Sequence, residues 1–197
     1  EQIRHECKIN ILYIKPDTSF LSDVNILQNN LLFNVFQEYA RSGVFEKVYI
    51  IDNLKLIDIV GDLTIREYYE KLNEVVVSTM HMVNIFNNTE SVMNTFSPPV
   101  STARISTFGL AQFDEDEEEK LFFSLDNLRK KRYYYAIPED VLKSDGQLMK
   151  KIKKQLKENK EHDKMKIDYG VYATNYDSLY VYFVADSSTI QKKNLTN

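Results

Sequence analysis

Between positions 52 and 73, four side chains have the types and spacing to hold a flat heterocycle. Asp52 and Asn53 stand at the end of the run Val48, Tyr49, Ile50, Ile51, and Tyr69 and Asn73 follow, four residues apart. Polar residues at the carboxyl end of a strand are where open α/β sheets take their ligands. Residues four apart on a helix lie one above the other, so a phenol ring and a carboxamide would share one face. A ring beside an amide suits a purine, because Asn supplies a donor and an acceptor together. The plain alternative is a strand-end turn followed by a helix with an ordinary Tyr and Asn, since strand–turn–helix is a common α/β joint.

The elements that must place these groups are legible in the spacing. Residues 48–51 run apolar as a short buried strand should, and Asp52-Asn53 closes it. Thr64 with Glu67 three residues on reads as a capping box, each side chain satisfying a free helix-end amide. Behind it Ile65, Tyr69, Leu72, Val76, Met80 and Val83 form the apolar stripe of a long helix. Upstream, residues 8–14 read as a strand and 16–20 as a loop. Ser22 or Asp23 then caps a helix whose expected buried stripe is Val24, Leu27, Leu31, Val35 and Tyr39, ended by Gly43. Strand, helix, strand in this span is a βαβ unit, which predicts a parallel pair. Two strands do not make such a sheet, because parallel sheets are covered on both faces and their edges protected.

The ordered set Ile51-Asp52-Asn53, Tyr69-x-x-x-Asn73 and Val77-Ser78-Thr79-Met80 resembles the tubulin/FtsZ superfamily. The resemblance implies that Asn53, Tyr69 and Asn73 contact the guanine of GTP or GDP and that Asp23 lies near the ribose, with Mg2+ accompanying the nucleotide. It also implies that this is the carboxyl-terminal portion of such a protein. The missing neighbours of its sheet then belong to an amino-terminal half that carries a Gly-rich phosphate loop. No such loop stands here, since Gly43, Gly61, Gly109, Gly146 and Gly170 are all isolated. The chain alone is therefore not expected to bind GTP strongly. The resemblance, nearest to the plasmid and phage TubZ-like group, further implies a head-to-tail homopolymer with GTP held between subunits. Such a filament moves or positions DNA, through an adaptor protein bound to that DNA, or divides the cell.

In that family the loop after the central helix lends acidic residues to the GTPase site of the neighbouring subunit. Here Glu90 is the only acid between Asn84 and Gln112, which makes it the candidate catalytic residue. A water-positioning group needs a carboxylate or carboxamide in reach, so with the acidic pattern missing either Glu90 or another residue with no counterpart in that pattern polarises the water, or hydrolysis is poor. The alternative function is a non-catalytic α/β interaction module on the same scaffold.

The fold class expected is α/β. Residues 1–65 form the remnant of a parallel nucleotide-binding sheet, 66–87 a central linking helix, and 88–102 a boundary loop rich in Asn, Ser, Thr and Pro. Residues 103–197 form an α+β second domain with a mixed sheet. Within it, 103–108 read as a strand ending at Gly109. The acids 114–119 open a helix with Leu121, Phe122, Leu125 and Leu128 inward, and the basic residues 129–132 close it, as the helix dipole favours. Residues 133–137 read as a strand, and Pro138 starts a short helical turn. Residues 148–160 read as a basic amphipathic helix with lysines at 150, 151, 153, 154, 157 and 160. DNA or anionic lipid could bind such a face, but Glu158, Glu161 and Asp163 dilute it, so a solvated surface is expected. Residues 167–173 and 179–185 read as a hairpin, and the tail 188–197 as frayed.

Composition sets the remaining limits. A 43% hydrophobic and 27% charged chain is ordinary for a folded soluble protein. No apolar run is long enough to span a membrane. A net charge of −4 argues against direct nucleic-acid binding. The single Cys7 fits a reducing, cytoplasmic compartment. His5, His81 and His162 lie far apart and none makes a zinc spacing with Cys7, so no metal site is expected. The opening EQIRHECKIN has neither Met nor a signal-peptide core, which predicts a processed or partial chain.

Overall fold

A computed structural model describes residues 7–19, 21–64, 66–113 and 119–190. The fold grows from β1 (Asn10–Lys15) and β2 (Lys47–Asp52), which pair in parallel from Asn10↔Lys47 to Lys15↔Asp52. The helix between them, α1 (Asp23–Ser42), begins at Ser22, whose hydroxyl accepts from the Asn25 amide at 3.4 Å. It ends at Gly43, held left-handed at φ 73°. Two helices follow β2: α2 (Asn53–Val60) and the long α3 (Tyr68–Asn87). Periodicity does not announce α2, because a short apolar run fits strand or helix alike. It forms because the Asp52 side chain caps it, accepting from the Leu54 amide at 3.0 Å, and Leu56 is buried beneath.

Beyond α3 come β3 (Met93–Asn94), β4 (Ile105–Ala111), β5 (Lys120–Leu121), β6 (Leu128–Pro138), α4 (Glu139–Ser144), α5 (Leu148–Glu158), β7 (Lys166–Thr174) and β8 (Tyr180–Ser187). All strands join one mixed sheet in the order β1-β2-β4-β8-β6-β7-β3, with β5 on β4. β2 meets β4 in parallel at Val48↔Ile105 and Tyr49↔Ser106, so the sheet runs unbroken across the stretch 88–102. β8 is antiparallel to both β4 and β6, and β6 is parallel to β7. On one face, α1 and α5 pack with Tyr133, Tyr135 and Ile137 of β6. On the other, α2 and α3 pack with Tyr134 and Ala136. A strand buried on both faces needs an unbroken apolar and aromatic run, which β6 supplies.

Several sequence expectations are overturned. The stripe Val24, Leu27, Leu31, Val35 and Tyr39 of α1 faces outward, with Leu27 70% and Leu31 64% exposed. The inward face is the opposite one: Phe33 and Phe36 lie 5.7 and 5.2 Å from the Tyr13 ring, whose hydroxyl donates to Asn29 at 2.6 Å. No helix spans 119–128, and residues 114–118 lie outside the described ones. Phe122 and Phe123 enter opposite cores, a period of two that no helix gives. The Phe122 amide donates to Phe108 at 2.9 Å and its carbonyl accepts from the Asp52 amide at 2.7 Å, wedging β5 between β2 and β4. Residues 129–132 therefore belong to β6, not to a helix end.

The expected hairpin is also corrected. β6 lies between β7 and β8, so the loop 175–179 crosses two strand spacings, about 9.5 Å, well within the reach of five residues. Thr64 and Glu67 do bond to each other, hydroxyl to carboxylate at 2.6 Å, but as a turn ahead of α3, which starts at Tyr68 with no side-chain cap. Ile65 and the tail 191–197 lie outside the described residues, whereas Ile190 is buried and its amide donates to Gln37 at 3.0 Å.

β4 also runs through Gly109 instead of stopping there. The position needs glycine for space, because a Cβ would run into the ring of Phe183, its cross-strand partner. Gly109→Ala is expected to cost about 1–3 kcal/mol through overpacking. The check is a lowered denaturation midpoint, and an unchanged one would mean that the Phe183 ring yields freely.

Candidate functional site

Parallel pairing brings the ends of β1 and β2 side by side, with Lys15 opposite Asp52. Lys15 Nζ donates to Asp52 Oδ2 at 2.7 Å while Oδ1 caps α2, so this carboxylate is fully used in the turn. The turn presents Asn53, which is half-buried and whose carboxamide makes no hydrogen bond among the described residues. Tyr69 and Asn73 stand one above the other on the first turns of α3, both exposed, Tyr69 to 70%. The Tyr69 ring meets Tyr68 edge-on at 5.1 Å. Burial, then the nearby Asp17 carboxylate, push the Tyr68 phenol above its usual value, so the loop after β1 lies beside the start of α3. Hydrogen bonds from Ser19 hold the Asp17 carboxyl below the usual carboxylate range.

The structure thus puts Tyr69 and Asn73 on one open face, with Asn53 on α2, which packs against α3. No hydrogen bond joins Asn53 to either. Asp23 opens α1 and is exposed. Glu90 is exposed beyond the opposite end of α3, and a helix of 20 residues is about 30 Å long. Glu90 and the Tyr69–Asn73 face of one chain therefore cannot meet at one ligand.

The loop that carries Glu90 is strapped to the sheet by residues that sequence reasoning missed. The amides of Val92 and Thr95 donate to Val171 and Tyr169 at 2.8 and 2.9 Å, and β3 pairs with β7. Phe96 lies so close to Gly170 that a Cβ there would come within 2.7 Å of its ring. The Ser97 amide donates to Asp168 at 2.8 Å, and Lys130 Nζ donates to Asp168 at 2.6 Å and to the Ser97 carbonyl at 2.9 Å. Arg132 donates to that same carbonyl at 3.2 Å and stacks over Phe96 at 4.8 Å. Burial alone would raise the Asp168 carboxyl, but Lys130 and Ser97 together hold it below its usual value. The one sequence signal was a run of four cations, Arg129 to Arg132, directly ahead of three tyrosines.

The residues gathered here offer one aromatic face and two carboxamides, and nothing described beside them forms a phosphate cradle or a cation site. The glycines are isolated, and among the described residues no group of three His, Cys, Asp or Glu could hold a metal ion. Nor is any helix among them long and apolar enough to cross a membrane.

No protein-family model and no curated protein sequence matches the chain. Solved structures do match it. It is similar to TubZ of Bacillus thuringiensis serovar israelensis in its GTPγS-form protofilament, with a TM-score of 0.66 and 19% identity over 96% of this chain and 56% of that one. It is similar to a type III plasmid segregation TubZ, with a TM-score of 0.61 and 19% identity over 96% and 59%. For the FtsZ dimer of M. jannaschii the TM-score is 0.59 and the identity 12%, over 90% and 54%. The fold is a tubulin/FtsZ-like one. The chain spans a little over half the length of these proteins, and matches their filament-forming members over nearly all of its own.

Proposed function

We propose that the chain is the carboxyl-terminal portion of a GTP-binding filament protein of the tubulin/FtsZ kind, whose polymer segregates plasmid or phage DNA or divides the cell. The observation that carries this reading is its likeness, over 96% of its length, to a TubZ protofilament. Asn53, Tyr69 and Asn73 take the guanine, Asp23 lies toward the ribose, and Glu90 reaches the nucleotide of the next subunit in a head-to-tail homopolymer. The span of α3 between Glu90 and Tyr69 supports a site shared between copies. A nucleotide-binding half supplies the phosphate and Mg2+ side. It continues the sheet from the open edge of β1 and covers the apolar outer face of α1. The filament works in the cytoplasm, coupled to DNA through an adaptor protein.

In a polypeptide that joins this chain to a Gly-rich nucleotide half, GTP turnover per molecule is expected to rise with protein concentration. A constant rate would overturn the shared site. In the same protein Asn73→Ala is expected to weaken GTP binding by about 1–3 kcal/mol, the cost of an unpaired polar partner. Unchanged affinity by nucleotide titration would remove Asn73 from the pocket. The strapped loop, poor in acids, favours a second reading: a non-catalytic interaction module on this scaffold. Binding without turnover at any concentration would support it.

A further inference from the structure

The outer face of α5 is predominantly positive, with Glu158 at its end the one acid on the helix. Leu148 and Ile152 are buried, and Met149 and Leu156 pack against the core below. On the opposite side Lys150, Lys153 and Lys157 follow at intervals of three and four, all exposed, with Lys154 beside them. Lys151, at the flank, bonds Asp145 at 3.0 Å, and Lys154 has a partner of its own. Lys150, Lys153 and Lys157 have no ion pair among the described residues. Like charges three and four apart destabilise a helix, and a face that only needs solvation is better served by mixed signs. A ridge that keeps this repulsion is suited to a polyanion, which relieves it on binding.

We infer that this lysine ridge binds the phosphate backbone of a double-stranded nucleic acid. Three observations favour that occupant over a bilayer or a single strand. The apolar residues of α5 are turned into the core, so the helix has nothing to insert among lipid chains. No aromatic side chain lies on α5 to stack on unpaired bases, as single-strand readers require. The ridge from Lys150 to Lys157 is straight and about 10 Å long, the axial distance over which about three phosphates of one strand pass. Lysine is a point charge without the bidentate fork that reads base edges, so the contact is independent of sequence. The net charge of −4 is spread over the chain, and of the acids nearest the ridge Asp145 is paired with Lys151 at 3.0 Å and Glu161 with Lys131 at 3.3 Å, which leaves Glu158 at the end of α5 and Asp163 beyond it.

The test is fluorescence anisotropy of the 197-residue chain with a labelled 30-base-pair DNA duplex, a duplex RNA and a DNA single strand. Both duplexes should bind regardless of sequence, and better than the single strand. Three neutralised phosphates predict affinity about forty-fold weaker at 200 mM than at 50 mM salt. K150E/K153E/K157E should abolish binding at 50 mM salt while keeping the helical circular dichroism. K8E/K55E/K71E, which changes net charge equally on other surfaces, should retain it. Equal loss in both triple variants, or duplex binding that survives in the first, would overturn the proposal. So would no duplex binding at 50 mM salt, or binding to phosphatidylserine vesicles but not to duplex.

Discussion

Lys130→Met is expected to destabilise the fold by about 3–5 kcal/mol at neutral pH, the usual result of removing one partner from a buried ion pair. Lys130 is 1% and Asp168 6% exposed, so solvent cannot replace the lost ammonium. The substitution keeps the length of the side chain but leaves the Asp168 charge with Ser97 as its remaining hydrogen-bond partner, takes the Lys130 donor from the Pro98 carbonyl, and leaves the Ser97 carbonyl with Arg132 alone. The pH dependence separates this from a packing defect. Asp168 is held below its ordinary value of 3.8, so the stability it contributes is present above that value and lost as pH falls through the depressed one. Without Lys130, burial raises the same carboxyl, and the deficit of the variant should shrink as acid neutralises it. Urea unfolding of both proteins at pH 7 and pH 4 reads the difference. A loss under about 1 kcal/mol, or one that does not change with pH, would mean that the pair does not hold the strap. The double change Lys130→Met with Asp168→Leu should recover much of the loss, because it leaves no charge buried.

That strap was invisible in the sequence for a physical reason. Lys130 and Asp168 sit on β6 and β7, and only the parallel register of those strands, which sets Arg132 opposite Asp168, brings them within reach. Residues 129–132, read locally, look like the basic end of a helix, and the tyrosines that make β6 a central strand come just after them. The hairpin expected from β7 and β8 failed likewise, since nothing local reveals that β6 inserts between them. What the spacing did carry was the βαβ unit and α3, because the buried positions Leu72, Val76 and Val83 recur on one face. Of the candidate site, Asn53, Tyr69 and Asn73 were legible as residues. The partners of Asp52 were not, because Lys15 reaches it only through the parallel pairing of β1 and β2.

The case of α1 leads to the second large effect. Its sequence holds two apolar faces half a turn apart: Val24, Leu27, Leu31 and Val35 on one, Phe33, Phe36 and Ala40 on the other. Periodicity identifies the helix but cannot choose between them, and the aromatic face won the sheet. Leu27→Glu with Leu31→Glu is therefore expected to change the stability of this chain by no more than about 0.5 kcal/mol, since both sites are open and Glu suits a helix nearly as well as Leu. In a longer polypeptide whose nucleotide-binding half covers α1, the same pair should cost on the order of 3–6 kcal/mol, the transfer free energy of two buried leucines. Urea denaturation of the two proteins, each with and without the pair, measures both numbers. A large loss in the short chain would mean that the stripe is already used within it. No loss in the long one would mean that the other half docks elsewhere. Should the pair instead abolish self-association of the short chain, seen by sedimentation, a second copy would be the occupant, for an apolar stripe of this length on a surface helix is seldom left to water.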